Sequence, residues 1–222
     1  MHDVYANGAV GVDISIVEGV RGGLYEGSDA LTDRGSTASV AKTLDLPVIL
    51  VVDARSITRS AAALVKGFQA FDPAVRIEGG VILNQINGGD IHREKATTAI
   101  EHACGIPVIG AIPRREEMKL TMRHLGGLVP FLEGSQKEVF HEKIHAITHI
   151  IGGDHVDIDQ LLDIAKETPH PQKGPPCFSL RIQRTSESVW PLTSRLIFTT
   201  TISSISSGHR GGRACFFQPP HP

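Results

Sequence analysis

Four apolar runs of the sequence each end on a residue that could do chemistry. Glu18 closes ISIVE, Asp53 closes VILVVD, Asn84 closes VILN, and Pro113 closes VIGAIP. Carboxylate oxygens are the ligands that Mg²⁺ prefers, and Mg²⁺ commonly bridges the phosphates of nucleotides. If the runs are adjacent strands, Glu18 and Asp53 form a candidate magnesium site. The alternative is that these acids only begin loops or cap the next helices.

A magnesium–phosphate site also needs a loop that holds the phosphates. The pattern G-x-x-x-x-G-K-[ST] does not occur in the 222 residues. The nearest stretch, GSTASVAKT, lacks the second glycine and places Lys42 inside a predicted helix. Phosphates bind to backbone N–H groups that precede a helix. We therefore predict that Lys42 is not a phosphate-loop lysine.

A competing metal motif is HEKIH at residues 141–145, which matches the zinc-protease pattern H-E-x-x-H. His149 continues the spacing of four residues, and histidines so spaced on a helix can share a zinc ion. The same helix has its apolar face elsewhere, on Phe140, Ile144, Ile147 and Ile151. A solvated row of histidines is the alternative to a zinc hydrolase, and no third-ligand motif lies nearby.

Composition narrows the classes of function. The hydrophobic fraction of 41% allows a buried core, and a net charge of −2 gives no basic field for nucleic acid. Three scattered cysteines without C-x-x-C indicate a reducing compartment, and Cys104 is expected to be a small buried residue. The sequence shows no membrane-length apolar run and no signal peptide. We expect a cytoplasmic protein without a nucleic-acid or membrane partner.

Strand-like and helix-like patterns alternate up to residue 168. Short apolar runs predict buried strands, and apolar residues at helical spacing predict amphipathic helices. This alternation predicts the α/β class, with a parallel sheet between two helical layers and a ligand site at the carboxyl ends of the strands. The predicted strands span residues 12–19, 47–54, 80–86 and 106–113, and the helices span 36–44, 56–67, 91–102, 136–151 and 156–166.

The composition changes after residue 168. Residues 169–176, PHPQKGPP, form a linker-like stretch, and no acid follows Glu187. A disordered tail is one interpretation of this serine-, threonine- and proline-rich segment. Translation out of frame after an insertion or deletion is a second interpretation, and a basic functional tail is a third. Residues 169–222 are therefore set apart from the body at residues 1–168.

Six stretches of the body, taken in order, resemble the cobyrinate a,c-diamide synthases. The archaeal branch that amidates nickel-sirohydrochlorin is the most similar, although the cobalt and nickel branches stay open. The stretches are VEGVRGGLYEG, GSTASVAKTLDLPVILVVDA, RSITRSAAALVKGFQAFDP, GVILNQI, GIPVIGAIPR and MRHLGGLVP.

The resemblance implies a P-loop NTPase domain like dethiobiotin synthetase, followed by a glutaminase domain with a cysteine nucleophile. It also implies the reaction: ATP phosphorylates an acetate carboxylate of a tetrapyrrole, and ammonia from glutamine displaces the phosphate. Catalysis of that kind consists mainly of positioning and charge neutralisation. ATP and Mg²⁺ are thus the expected cofactors. The tetrapyrrole and glutamine are the expected partners, and a homodimer the expected assembly.

The resemblance also implies roles for individual residues on the nucleotide side. Glu18 matches the strand-end acid that supports Mg²⁺ and ATP, and Asp53 is the second candidate ligand for Mg²⁺. Asn84 matches the residue that reads the adenine edge, where an amide can both donate and accept. Pro113 and Arg114 match the loop that lies over the base.

On the substrate side, Arg21, Gly22 and Tyr25 match the loop that faces the tetrapyrrole acid. The sequence departs from the family in two places, because neither the phosphate loop nor the glutaminase cysteine motif is present. Residues 1–168 are therefore expected to be a partial amidoligase domain that is inactive alone, and its catalytic residues are unknown. A non-catalytic α/β binding or partner subunit is the alternative function.

Overall fold

The computed structural model of the chain describes residues 1–9, 12–19, 23–118, 135–168 and 195–202. Within these ranges, five parallel strands form one sheet in the order β1-β5-β2-β3-β4. The predicted α/β class, a parallel sheet with flanking helices, is confirmed. The strands are β1 (Ile14–Glu18), β2 (Val48–Asp53), β3 (Val81–Ile86), β4 (Val108–Pro113) and β5 (Arg195–Ile202), and the helices are α1 (His2–Gly8), α2 (Thr37–Leu44), α3 (Arg59–Phe71), α4 (Gly89–Cys104), α5 (Ser135–Asp154) and α6 (Ile158–Glu167).

Strands β2 and β3 hold the middle of the described sheet. Both begin as apolar runs, VILVV in β2 and VIL in β3, as expected for parallel strands buried on both faces. They pair in register from Leu50 with Val81 to Asp53 with Asn84. Because this register is continuous, Asp53 at the carboxyl end of β2 lies level with Asn84, two residues before β3 ends.

Alternate side chains of the strands enter two apolar layers. One layer joins the sheet to α2, α3 and α4, and contains Val48, Leu50, Val52, Leu83, Ala61, Val65 and Ile100. The other layer joins the opposite face to α6 and the end of α5, and contains Ile49, Ile82, Ile109, Leu161 and Ala165. The alternation fixes the face of each strand-end residue. Asp53 and Asn84 therefore project on the face of Ile49 and Ile82, towards α6.

The far side of β4 is covered rather than open. Gly110 forms an antiparallel bridge with Val156. The backbone N–H of Ala111 donates to the His155 carbonyl, at 2.7 Å, and the N–H of Asp157 donates to the Ile109 carbonyl, also at 2.7 Å. These bonds satisfy backbone groups that would otherwise attract another strand.

The main difference from the sequence prediction is β5. Residues 195–202 lie in the segment for which a disordered tail is one interpretation, and in the structure they form a strand between β1 and β2. Their sequence, RLIFTTTI, is rich in β-branched and apolar residues that favour strands. A single eight-residue run in a segment without sustained period does not by itself predict a strand. The rest of the tail lies outside the described residues, and the frameshift hypothesis stays a prediction about the gene.

Two smaller observations complete the fold. The short helix α1 was not predicted, and it buries Ala6 while Tyr5 packs against the layer of α2 and α3.

Within the described ranges, none of the helices combines the length and apolarity that crossing a membrane requires.

The β2–β3 core predicts the effect of a large-to-small substitution. Leu83 in β3 is fully buried, so Leu83→Ala removes apolar contacts and leaves a cavity. We expect the free energy of unfolding, measured in urea, to fall by about 2–5 kcal/mol. Leu31→Ala is the matched control, because Leu31 is 96% exposed. Equal losses for the two variants would contradict the placement of β3 in the core.

Candidate functional site at the carboxyl edge of the sheet

Asp53 at the end of β2 lies beside Asn84, which is two residues before the end of β3. They are register partners, and the Ala54 N–H donates to the Asn84 carbonyl at 2.8 Å. The Asn84 side-chain oxygen accepts a hydrogen bond from the Gln85 N–H at 2.9 Å. The two N–H bonds of the Asn84 side-chain amide have no acceptor in the described part of the chain. Asn84 therefore retains the donors that an adenine edge would need.

The end of β4 closes against the end of β3. Ile86 pairs with Pro113, and the Arg114 N–H donates to the Ile86 carbonyl at 2.8 Å. The register shifts between Leu83 and Ile86, where Gln85 adopts a left-handed φ of 62°. This irregularity was not anticipated from the sequence, which has no glycine there. The predicted residues Asn84, Pro113 and Arg114 are thus brought to adjoining positions at one edge.

Asp53 is held by Arg55 rather than open to a cation. Its side chain is only 6% exposed, and the Arg55 guanidinium donates to both carboxylate oxygens. The Nη2–Oδ2 distance is 2.7 Å and the Nε–Oδ1 distance is 3.1 Å. These hydrogen bonds and the carboxylate charge raise the pKa of Arg55. The carboxylate is already neutralised, so it presents no free ligand for Mg²⁺ in this arrangement.

Glu18 lies far from Asp53, because β5 separates their strands. Thr199 of β5 is level with Glu18 on one side and with Ile49 on the other. Glu18 is therefore four residues below Asp53, or about 13 Å along the strands, and two strand spacings, about 10 Å, away across the sheet. One Mg²⁺ cannot bridge carboxylates at that separation. The prediction of a shared site assumed that β1 and β2 are neighbours with level ends.

Glu18 itself occupies a desolvated position. Its Oε2 is buried and has no hydrogen-bond partner among the described residues. Burial raises the pKa of the Glu18 carboxyl, because desolvation penalises the charged form. An uncompensated carboxylate of this kind would gain from a cation or from a hydrogen-bond donor.

Tyr25 anchors the loop after β1 to α3. Its hydroxyl donates to the Phe68 carbonyl at 2.8 Å, and its ring stacks on Phe68 with centroids 5.8 Å apart. Burial is the main reason that the pKa of Tyr25 rises to about 12. The Tyr25 hydroxyl is thus used inside the fold, and the substrate-side role of this residue stays a prediction. Arg21 and Gly22 lie outside the described residues.

Lys42 has a structural role, as its position inside a predicted helix indicated. It lies in the last turn of α2, and its ammonium pairs with Asp72 at 2.6 Å and with Asp33. Hydrogen bonds to both acids raise the pKa of Lys42. The ion pairs connect α2 to the residue that follows α3. Lys42 thus lies inside a helix as predicted, and its lack of a phosphate-loop role stays a prediction.

The histidine motif on α5 and Cys104 form no metal or nucleophile site within the described ranges. His141, His145 and His149 lie on exposed positions of α5, as the solvated-row interpretation predicts. No group of three or more potential metal-ligating side chains occurs within residues that the structure describes. Cys104 is buried, its thiol donates to the Ala62 carbonyl at 3.4 Å, and burial raises its pKa. A raised pKa disfavours the nucleophilic thiolate.

A comparison with known proteins first identifies the class of protein domain that the chain contains. A family model described as an AAA domain matches residues 10–120, which is half of the chain. The chain belongs to this family of AAA domains, in agreement with its parallel sheet. No solved structure matches the chain.

The particular relatives are cobyrinate a,c-diamide synthases of archaea. The chain is 52% identical over 169 residues to the protein of that name from Methanosarcina acetivorans, which covers 73% of this chain and 33% of the relative. It is 47% identical over 157 residues to the protein from Methanobrevibacter smithii and 40% over 159 residues to that from Archaeoglobus fulgidus, covering about 70% of this chain in each case. The resemblance to this family is confirmed. The chain spans about a third of the length of these relatives.

The buried carboxyl of Glu18 predicts a pH-dependent effect of Glu18→Gln. A raised pKa in the folded state means that the protonated form is favoured by folding. That contribution is complete below the unfolded pKa, about 4.3, and is lost as the pH rises through the folded pKa. We therefore expect Glu18→Gln to unfold at a higher temperature than the parent at pH 7, with the difference vanishing below about pH 4. Glu142→Gln, on an exposed position of α5, is the control, and a pH-independent difference would contradict the assignment.

The ion pair between Arg55 and Asp53 predicts that removing the guanidinium lowers the stability of the fold. Arg55→Ala leaves a buried carboxylate without its charged partner, so the free energy of unfolding should fall by about 1–3 kcal/mol. Adding Asp53→Asn to that variant removes the unpaired charge and should recover part of the loss. Denaturant titration of both variants measures this. A double variant less stable than Arg55→Ala would contradict the proposed pairing.

Proposed function

We propose that this chain is part of an ATP-dependent, glutamine-hydrolysing amidoligase. The proposed reaction converts a- and c-acetate carboxylates of a tetrapyrrole to amides through an acyl phosphate. The observation that carries the proposal is the 52% identity to a cobyrinate a,c-diamide synthase across most of the chain. Since the chain spans only a third of that relative, the activity is assigned to the complete assembly.

The proposed binding of the adenine base is supported by the positions of Asn84, Pro113 and Arg114 at one edge of the sheet. Asn84 retains amide donors that can face the acceptor nitrogens of adenine. Pro113 and the exposed Arg114 begin the segment that leaves the same edge and can cover a planar base. We propose that these three residues hold the base, and that ATP supplies the phosphoryl group when it is bound.

The phosphate side of the same proposal is incomplete in this chain. Lys42 is paired with two acids, so it is not free to neutralise a triphosphate, and Asp53 is paired with Arg55, so it is not free to ligate Mg²⁺. Glu18 Oε2 has no hydrogen-bond partner among the described residues, but Glu18 lies well away from Asp53. We expect the 222-residue chain alone to bind ATP weakly and to form no amide. The same pairings favour a non-catalytic binding subunit as the second candidate.

The choice of tetrapyrrole is the finer part of the proposal. The VRGGLYEG and SITRSAAAL stretches resemble the branch that amidates nickel-sirohydrochlorin. We therefore propose nickel-sirohydrochlorin as the substrate, with cobyrinate as the alternative. The two share the reacting acetate groups, so one assay with both compounds separates them.

A hybrid protein tests the function directly. Residues 13–168 of this chain would replace the matched region of the Methanosarcina acetivorans relative, which supplies the remaining two thirds. We expect the hybrid to form amides in an ATP- and glutamine-dependent reaction, at a rate within about tenfold of that of the unmodified relative. Mass spectrometry of the tetrapyrrole measures the amide product. Asn84→Ala in the hybrid should raise the KM for ATP about five- to tenfold, as for one lost hydrogen bond of ~1 kcal/mol.

The matched control is Asn87→Ala, because Asn87 is an exposed asparagine three residues further on. The 222-residue chain assayed alone is the second control, and it should form no amide. A hybrid that folds and binds ATP but amidates neither tetrapyrrole would refute the proposed function. Preference for nickel-sirohydrochlorin or for cobyrinate decides the branch.

A further inference from the structure

His92, in the first turn of α4, connects the two loops that follow β2 and β3. Its Nε2 lies 2.7 Å from the backbone carbonyl oxygen of Ile57, which belongs to the loop between β2 and α3. Its Nδ1 lies 3.3 Å from the backbone nitrogen of Gly88, which belongs to the loop between β3 and α4. One imidazole therefore links the start of α4 to a carbonyl 35 residues earlier in the chain.

The two contacts assign one tautomer to the His92 ring. A backbone N–H can only donate, so Nδ1 accepts the hydrogen bond from Gly88. A backbone carbonyl can only accept, so Nε2 carries the proton and donates to Ile57. The neutral imidazole with its proton on Nε2 therefore satisfies both contacts at once.

The bond to Ile57 is the stronger of the two. It is short and half-buried, and Ile57 packs against the apolar layer that contains α3 and α4. The bond from Gly88 is longer and exposed, so water can replace it with little loss of stability. Loss of the bond to Ile57 leaves a half-buried carbonyl without its donor, whereas loss of the bond from Gly88 changes only the start of α4.

Gly88 provides the space that the imidazole occupies. A Cβ at this position would lie 2.7 Å from the His92 Cβ and 3.1 Å from Nδ1, so any side chain there would displace the ring. The backbone of Gly88 has a φ of −101°, which other residues adopt as well. A glycine is therefore required here by the close approach of the ring and not by the backbone conformation.

The loop between β2 and α3 is attached at both of its ends. At its start the Ala54 N–H donates to the Asn84 carbonyl at 2.8 Å, and where it enters α3 the Ile57 carbonyl accepts from His92. Arg55 lies between these two attachments. His92 thus fixes the distance between the two loops at the end that the Asn84 carbonyl does not hold.

We propose that His92 is a positioning residue of the nucleotide site, which holds the loop at residues 54–58 in place beside Asn84. It acts through the Ile57 carbonyl and not by touching the nucleotide. Without this link the loop becomes more mobile, so binding of the base weakens while the chemical step is unchanged. The role rests on the proposed function, which places the adenine base at Asn84, but the link between the loops rests on the geometry alone.

Two substitutions separate the two hydrogen bonds of the imidazole. In His92→Gln the side-chain amide nitrogen can take the position of Nε2 and donate to Ile57, but the bond from Gly88 is lost. In His92→Asn the shorter side chain can still accept from Gly88, but it does not reach Ile57. A residue that only stabilised the start of α4 would therefore be replaced better by asparagine, and a link between the loops better by glutamine.

Hydrogen exchange of the full 222-residue chain measures the link directly. The Ile57 amide should exchange about tenfold faster in His92→Asn than in the parent, and at about the parental rate in His92→Gln. The Gly88 amide should show the opposite order. ¹⁵N NMR of the parent chain should show His92 protonated at Nε2 and not at Nδ1.

The hybrid protein measures the positioning role. His92→Asn should raise the KM for ATP about fivefold with little change in kcat, and His92→Gln should restore the parental KM. A general loss of stability reduces the amount of active enzyme and leaves the KM unchanged, so this pattern distinguishes positioning from stability. His102→Asn, at an exposed position of the same helix, is the matched control and should change neither constant. Gly88→Ala should raise the KM as His92→Asn does, and it replaces that variant if His92→Asn does not fold.

The outcomes separate the link, the positioning role and the proposed function. Unchanged exchange of the Ile57 amide in His92→Asn, or a His92 ring protonated at Nδ1, overturns the link. Faster exchange without a change in the KM for ATP overturns the positioning role. A hybrid that binds ATP but forms no amide refutes only the proposed function, and its Kd for ATP then decides the positioning role in place of the KM.

Discussion

The in-register pairing of β2 with β3 determines the geometry of the candidate site. It places Asp53 beside Asn84 and directs both side chains to the α6 face of the sheet. Strand β4 then attaches to β3 with a shifted register, so that Pro113 and Arg114 meet the end of β3 at Ile86. Both helical layers depend on the same pair, since the alternate residues of β2 and β3 supply the centre of each layer.

The opposite half of the sheet is organised differently, because among the described strands β1 pairs with β5 alone, while Val17 and Ile14 pack against the two apolar layers. The pairing with β5 sets the register of β1 and hence the level of Glu18 relative to β2. In these different surroundings Asp53 is enclosed and paired with Arg55, whereas Glu18 Oε2 is buried without a hydrogen-bond partner in the described part of the chain. The two acids have similar sequence contexts, and their different surroundings arise from which strand lies next to them.

Much of the fold could be predicted from the sequence, because its signals are local. The runs that became β2 and β3 are apolar, bounded by turn residues and of strand length, and their predicted limits agree with the structure to within one residue. Helix α2 begins after Ser36, whose hydroxyl accepts from the Ser39 N–H as an N-cap should. Adjacent placement of Asn84, Pro113 and Arg114 also followed, since β3 and β4 are consecutive and adjacent.

The part of the site that could not be predicted depends on non-local pairing. Nothing near Glu18 in the sequence indicates that a strand from residue 195 onwards lies between β1 and β2. The fork between Arg55 and Asp53 is local, but arginine two residues after an acid is as consistent with a solvated loop as with a buried pair. Tyr25 likewise has a loop-like context, and only the fold brings its hydroxyl to the Phe68 carbonyl, 43 residues away.

These differences bear on how a phosphate-transfer site could be assembled from separate parts. The ends of β3 and β4, which carry Asn84, Pro113 and Arg114, rest on a continuous core. On the other side of the sheet, β5 lies between β1 and β2, and its register with each of them sets the distance between Glu18 and Asp53. Glu18 Oε2 is buried without a hydrogen-bond partner among the described residues, and burial raises the pKa of this carboxyl. A cation or a hydrogen-bond donor at Glu18 would therefore offset a desolvation penalty that Asp53, paired with Arg55, does not carry.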